Sequence, residues 1–335
     1  MGGKRFAGKV VVVTGASSGV GRAIARAFGA EGARVGLIAR SQEALENAAA
    51  EIVTAGGEAR VLPLDVADAA AVEAAADQVV AEWGAIDVWV NDAMVSVFSP
   101  VKEMHAEEYR RVTEVNYLGF VYGTLAALKH MRARDAGVII QIGSALAYRS
   151  IPLQSAYCGS KAAIRGFTDS LRSELIHDRS KVKVTMLQLP AVNTPQFDVV
   201  RNRLPQHPQP VPPIYQPEVI ARAALYAAEH PSRELWVGWS AMKAILGQKF
   251  IPGLLDHYLA RKAYSGQQTN EVERTPQDNV DAPLPGDRGA HGDFDDRARS
   301  HNVELWLRLH RARVGLAATL GLAAVAGAWR LSRAT

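Results

Sequence analysis

Seven short runs of β-branched and aliphatic residues recur along the first 240 residues, at 10–13, 34–39, 60–64, 86–90, 137–142, 182–189 and 234–237. None alternates with polar residues as a strand with one wet face does. Strands without that alternation are buried on both faces, the mark of parallel strands covered by helices above and below. Ala-rich or amphipathic segments fill the gaps, around 20–31, 41–55, 68–83, 105–134, 154–178 and 216–230. The βαβαβ order predicts an α/β fold: a doubly wound parallel sheet of about seven strands with helices on both faces. Ligands of such sheets bind beyond the carboxyl ends of the strands.

The first run ends in Thr14-Gly15-Ala16-Ser17-Ser18-Gly19-Val20-Gly21, and a helical pattern follows at once. Glycine suits a turn that needs positive φ and a backbone that must approach a ligand closely. The helix behind it offers free amides and the positive end of its dipole to an anion. Gly15, Ser17, Ser18, Gly19, Val20 and Gly21 are therefore expected to hold the pyrophosphate of a dinucleotide. Their spacing differs from G-x-G-x-x-G. The second run ends at Ala39-Arg40-Ser41, with no carboxylate to receive a ribose hydroxyl. A guanidinium there can pair with a 2′-phosphate, so NADP is the expected cofactor and NAD the alternative. Asp65 and Val66, after the third run, are candidates for the adenine edge, with helix capping as the other reading of Asp65.

Tyr157 and Lys161 are four residues apart and so share one face of a helix. A free phenol has a pKa of about 10, too high for easy proton transfer near neutrality. An ammonium one turn away is expected to lower it. Ser144 ends the fifth run at the ligand edge of the sheet, and Asn116 lies in the helical stretch 105–134.

Taken together, these residues resemble the short-chain dehydrogenase/reductase family, in its shorter, non-extended branch, and a bacterial subgroup of it with a C-terminal extension. The glycine loop matches that branch's T-G-x-x-x-G-x-G, and Tyr157 with Lys161 its Y-x-x-x-K. The resemblance covers residues 7 to about 240. It implies a Rossmann-type fold in which Tyr157 exchanges a proton with the carbonyl or alcohol oxygen and Ser144 bonds that oxygen. Lys161 would also hold the nicotinamide ribose, and Asn116 would anchor a water of the proton relay. Asn91, Pro190 and Thr194 would line the cofactor. Two departures stand out. The family's N-N-A-G is Asn91-Asp92-Ala93-Met94 here, and its P-G stretch is Pro190-Ala191-Val192-Asn193-Thr194. The implied reaction interconverts an alcohol and a carbonyl. A cofactor-binding sensor or scaffold on the same fold is the alternative, and the complete catalytic set weighs against it. The glycine spacing weighs against a nucleotide-sugar epimerase.

The remaining sequence bears on substrate, partners and location. Met94, Val95, Val97, Phe98, Leu146, Tyr148, Ile151, Leu153 and Phe197 suggest a mostly apolar substrate pocket. Eight of the sixteen prolines fall between Pro190 and Pro217, a stretch expected to cover the substrate as a loop. A net charge of +4, spread along the chain without interleaved aromatics, argues against nucleic acid. The histidines lack metal-ligand spacing, so no metal is expected, and the lone Cys158 reads as a packing residue. With strand-forming residues beginning at Val10, no signal peptide is read, and a cytoplasmic catalytic domain is expected over 1–240. Beyond it, 241–264 reads as an apolar helical extension, 265–300 as a polar linker and 301–335 as a C-terminal helix. The uncharged run 314–329, flanked by arginines, is expected to touch a membrane through residues 314–330, with packing on this chain or a dimer mate as the alternative. A homo-oligomer is expected by analogy with the family's use of its 105–134 and 154–178 helices.

Overall fold

The computed structural model describes residues 4–273 and 277–311. The valine-rich run forms β1 (Val10–Thr14), buried along its whole length. It is followed by β2 (Arg34–Ala39), β3 (Glu58–Pro63), β4 (Val88–Asn91), β5 (Val138–Ser144), β6 (Lys183–Leu189) and β7 (Glu234–Trp236). All pairings are parallel, in the order β7-β6-β5-β4-β1-β2-β3. The order reverses beside β1, between its neighbours β2 and β4, and there the crossovers pass to opposite faces and leave a crevice.

Helices α1 (Gly19–Ala30), α2 (Gln42–Thr54), α3 (Ala69–Trp83), α4 (Ala106–Thr113), α5 (Gly119–Arg134), α6 (Ser155–His177) and α7 (Pro217–Glu229) connect the strands. Their apolar faces complete two core layers. One packs Ile24, Phe28, Val219 and Ile220 against Val11, Val13 and Leu187. The other packs Val72, Val79, Val112 and Met131 against Val10, Val12 and Trp89. The expected helix 105–134 is interrupted between α4 and α5 by a π-helical turn, Glu114–Leu118. Such turns insert one residue into the helical ladder and re-aim a side chain. Here the re-aimed residue is Asn116.

The C-terminal part departs from expectation. The extension at 241–264 is two helices, α8 (Trp239–Phe250) and α9 (Pro252–Gly266), separated at Ile251-Pro252, where proline cannot continue the ladder. The stretch expected as a linker, 265–300, lies against the domain instead. Strand Gln268–Val272 pairs with Gln206–Pro208, and Ala298–Arg299 adds to a small parallel sheet with Ile214–Tyr215 and Ala191–Val192. Val280, Ala290 and Phe294 are buried. Its low apolar content is offset by backbone pairing and ion pairs, neither of which shows in hydropathy. A further helix, α10 (Val303–Leu309), is capped by Asn302, whose side chain accepts from the Leu305 amide at 2.8 Å. The run 314–330 lies outside the described residues. Among those described, no helix is long and apolar enough to cross a membrane.

Candidate active site

A cavity of about 510 Å³ opens above the carboxyl ends of the strands, from the β1–α1 loop to Tyr157 and Lys161. The loop is shaped by close approach. Gly15 sits at φ +72°, and a Cβ there would stand 2.9 Å from the Ala93 backbone. Gly21 is in ordinary helical conformation, but a Cβ on it would run into the Gly15 carbonyl. Gly21 therefore lets α1 lie against the loop and does not itself line the cavity. Gly15, Ser17, Ser18, Gly19 and Val20 do line it.

Ser144, Tyr157 and Lys161 converge on the cavity's far end. The Ser144 hydroxyl accepts from the Leu146 amide at 3.1 Å, which fixes its rotamer. Lys161 is buried, its Nζ donating to the Ile142 carbonyl at 2.7 Å and standing 5.7 Å from the Tyr157 ring centroid. The expected lowering of the tyrosine pKa is not found. Burial pushes the Tyr157 phenol up, with the Ser144 hydroxyl opposing. Burial also depresses Lys161, since desolvation disfavours its charged form, so the ammonium's help is weakened. Asn116 is fully buried behind this group. Its Oδ1 accepts from the Val95 amide at 2.8 Å, and its Nδ2 donates to the Val95 carbonyl at 2.9 Å and the Ser160 hydroxyl at 3.3 Å. It is a brace between the β4 loop and α6, with no side-chain atom left over toward the cavity.

Asp92 was missed in the sequence. It lines the cavity beside Lys161, and burial pushes its pKa up against the opposing pull of the lysine. A carboxylate in place of the second Asn of N-N-A-G was the available signal. Asn91 is the reverse case. Its side chain points away from the cavity into the core, accepting from Trp89 Nε1 at 2.8 Å. It donates to Gln141 Oε1 at 2.9 Å, Thr124 Oγ1 at 3.1 Å and the Phe120 carbonyl at 3.3 Å.

At the other end, Arg40, Asp65 and Val66 line the cavity, as do Pro190 and Thr194 near its middle. Arg40 is already engaged: it donates to the carbonyls of Asn279 and Val280, and burial lowers its pKa. Asp65 accepts from the Ala67 amide at 3.0 Å and pairs with Arg111. It does not cap α3, because Asp68 does that through the Ala71 amide. Of the nine residues expected in the apolar pocket, Met94, Val95, Leu146, Ile151 and Phe197 line the cavity. Val97, Phe98 and Leu153 are packed in the core, and the Tyr148 hydroxyl is bonded to Glu234. Among the described residues no cluster of side chains could hold a metal.

A doubly wound parallel sheet with a glycine-shaped anion loop and a Ser–Tyr–Lys group at one cavity defines a dinucleotide-dependent class of oxidoreductase. The comparisons with known proteins agree. The short chain dehydrogenase family model matches residues 9–204, and the chain belongs to that family. An uncharacterized oxidoreductase of Bacillus subtilis, YxnA, is 34% identical over 280 residues, covering 83% of this chain and 78% of its own. A fatty acyl-CoA reductase of Acinetobacter baylyi is 37% identical over 57% of this chain and 64% of its own. Among solved structures, a metagenomic short-chain oxidoreductase in complex with NADP superposes with a TM-score of 0.59 at 32% identity, over 69% of this chain and 97% of that one. An alcohol dehydrogenase from Thermococcus sibiricus complexed with 5-hydroxy-NADP gives 0.60 at 30%, over 68% and 95%.

Proposed function

We propose that this chain interconverts an alcohol and a carbonyl on an apolar small molecule, with NADP as the preferred cofactor and Tyr157 as acid and base. The observation that carries the reading is that Ser144, Tyr157 and Lys161 line the same cavity as the glycine loop. The loop fits a dinucleotide, because Gly15, Ser17, Ser18, Gly19 and Val20 line the cavity at the start of α1, where small residues let a phosphate approach the backbone. When bound, the nicotinamide supplies or accepts the hydride. In the reductive direction, the Ser144 hydroxyl and the Tyr157 phenol together hold the substrate oxygen. Tyr157 gives its proton to that oxygen as negative charge develops there. The raised pKa suits this step, since the phenol is fully protonated at neutral pH. Lys161, anchored on Ile142, then neutralises the phenolate that remains. Met94, Leu146, Ile151 and Phe197 exclude water from the reacting carbon and favour an apolar substrate. The NADP and 5-hydroxy-NADP of the two structural neighbours and Arg40 at the adenosine end support NADP over NAD.

NADPH consumption with a panel of apolar aldehydes and ketones tests the assignment. Tyr157→Phe keeps the ring and removes the donor. Turnover is expected to fall by at least about 100-fold, the usual scale of general acid catalysis, with NADPH binding unchanged. Substantial turnover in that variant would remove Tyr157 from the role.

A further inference from the structure

The family match ends at residue 204, yet one wall of the cavity is made much later in the chain, by Asn279, Pro283, Leu284, Gly286 and Arg288. This segment is fastened across the crevice at two points, and the residues just after it at a third. At the adenosine end, Val280 is buried and its carbonyl accepts from both Arg40 and Arg111. At the start of α1, the Gly289 carbonyl accepts from the Gly19 amide at 3.0 Å, and Asp287 pairs with Arg22, a buried arginine of α1 that also holds Glu51. Toward the nicotinamide end, the Phe294 amide donates to Asn193 Oδ1 at 3.1 Å, and Asp295 accepts from Asn193 and Gln216.

Within the middle anchor, between Asp287 and Gly289, the segment carries Arg288. The residue is exposed, lines the cavity, and makes no side-chain hydrogen bond or ion pair with any described residue; its charge acts on Asp198 at longer range. The other cations of the wall are placed differently. Arg40 is tied to two carbonyls at the adenosine end, Lys161 to Ile142 at the catalytic end, and Lys262 stands on α9, outside this segment. Next to Arg288, the Gly19 amide, one of the donors that a helix start offers an anion, is already taken by Gly289. A free guanidinium beside that closed amide supplies the missing positive charge.

We infer that residues 279–292 are a strap completing the cofactor site, and that Arg288 is the group that binds the dinucleotide's pyrophosphate. The inference rests on the cofactor reading above and extends it to a part of the chain outside the family match. Its position, next to Gly289 and nine residues or so past the contacts to Arg40, assigns Arg288 to the bridging phosphates rather than to a 2′-phosphate. NADPH and NADH share those phosphates.

The test is fluorescence titration of the full chain with NADPH and, separately, NADH. Arg288→Ala is expected to weaken both by a similar factor, about tenfold. Arg288→Lys should recover part of the loss. Asp287→Ala, which frees the strap at its middle anchor, should speed NADPH release in stopped-flow displacement. Unchanged affinity in Arg288→Ala, or a loss confined to NADPH, overturns the assignment. A wild-type chain that takes up neither nucleotide removes the oxidoreductase reading and this inference with it.

Discussion

Replacing Asn91 separates a structural role from a cofactor role at a position where sequence and structure point in different directions. Asn91→Leu keeps roughly the same volume and removes every polar atom. Two buried partners then lose their hydrogen bonds: the Trp89 Nε1 donor, 2.8 Å from Asn91, and the Gln141 Oε1 acceptor, 2.9 Å from it. Thr124 keeps its bonds to the Phe120 carbonyl and to Gln141 Nε2. A buried polar group left unsatisfied costs about 1–3 kcal/mol, so two such groups cost about 2–6 kcal/mol. Relief by movement is blocked, since α5 approaches so closely at Gly123 that a Cβ there would meet both Asn91 and Trp89. Against a typical total stability of about 5–15 kcal/mol, the loss is large. Urea unfolding should show a lower midpoint with an unchanged slope, while the folded variant binds NADPH with ordinary affinity. A variant of normal stability with weakened NADPH binding would refute the argument and return Asn91 to the cofactor.

Three further outcomes are expected. Gly21→Ala should abolish or severely weaken nucleotide binding without changing any charge, because its Cβ displaces the Gly15 carbonyl; wild-type affinity in isothermal titration would contradict the packing described. Arg40→Asp should weaken NADPH at least tenfold relative to NADH, a charged hydrogen bond being worth about 1.5–3 kcal/mol; a wild type that already prefers NADH would contradict it. Because burial raises the Tyr157 pKa, its acid form persists through neutral pH and its base form grows only as pH rises. Initial rates of alcohol oxidation should therefore climb toward alkaline pH while carbonyl reduction stays flat from neutral to mildly alkaline; the opposite pairing of slopes would rule out a tyrosine acid.

The sheet was legible because its inner strands are local runs rich in β-branched and aliphatic residues, buried on both faces, whereas the edge strand β3, Glu58–Pro63, keeps Glu58 and Arg60 exposed. Tyr157 and Lys161 were legible because helical geometry turns a spacing of four into adjacency. What escaped depends on contacts with no period. Arg22 reads as one more helix cation, yet it is 2% exposed and held by carboxylates at Glu51 and Asp287. The 279–292 segment docks through its own carbonyls, which every residue carries and no composition reveals. The direction of the tyrosine's shift was misread for a related reason. Spacing reports that a charge is near, whereas the pKa also depends on how much water is gone, and that is a property of the finished fold.

The crossing of the crevice by residues 279–292 also sets an order of events during synthesis. A ribosome that has released the first 240 residues has already delivered every strand of the main sheet, the glycine loop and Tyr157. That portion can collapse around its own core while translation continues at about 5–20 residues per second. Its nucleotide groove, however, still lacks one side. The nascent domain therefore presents Arg22 and Arg40 without their later partners, and the crevice is finished only when residues made near the end of the chain return to residues made near its beginning.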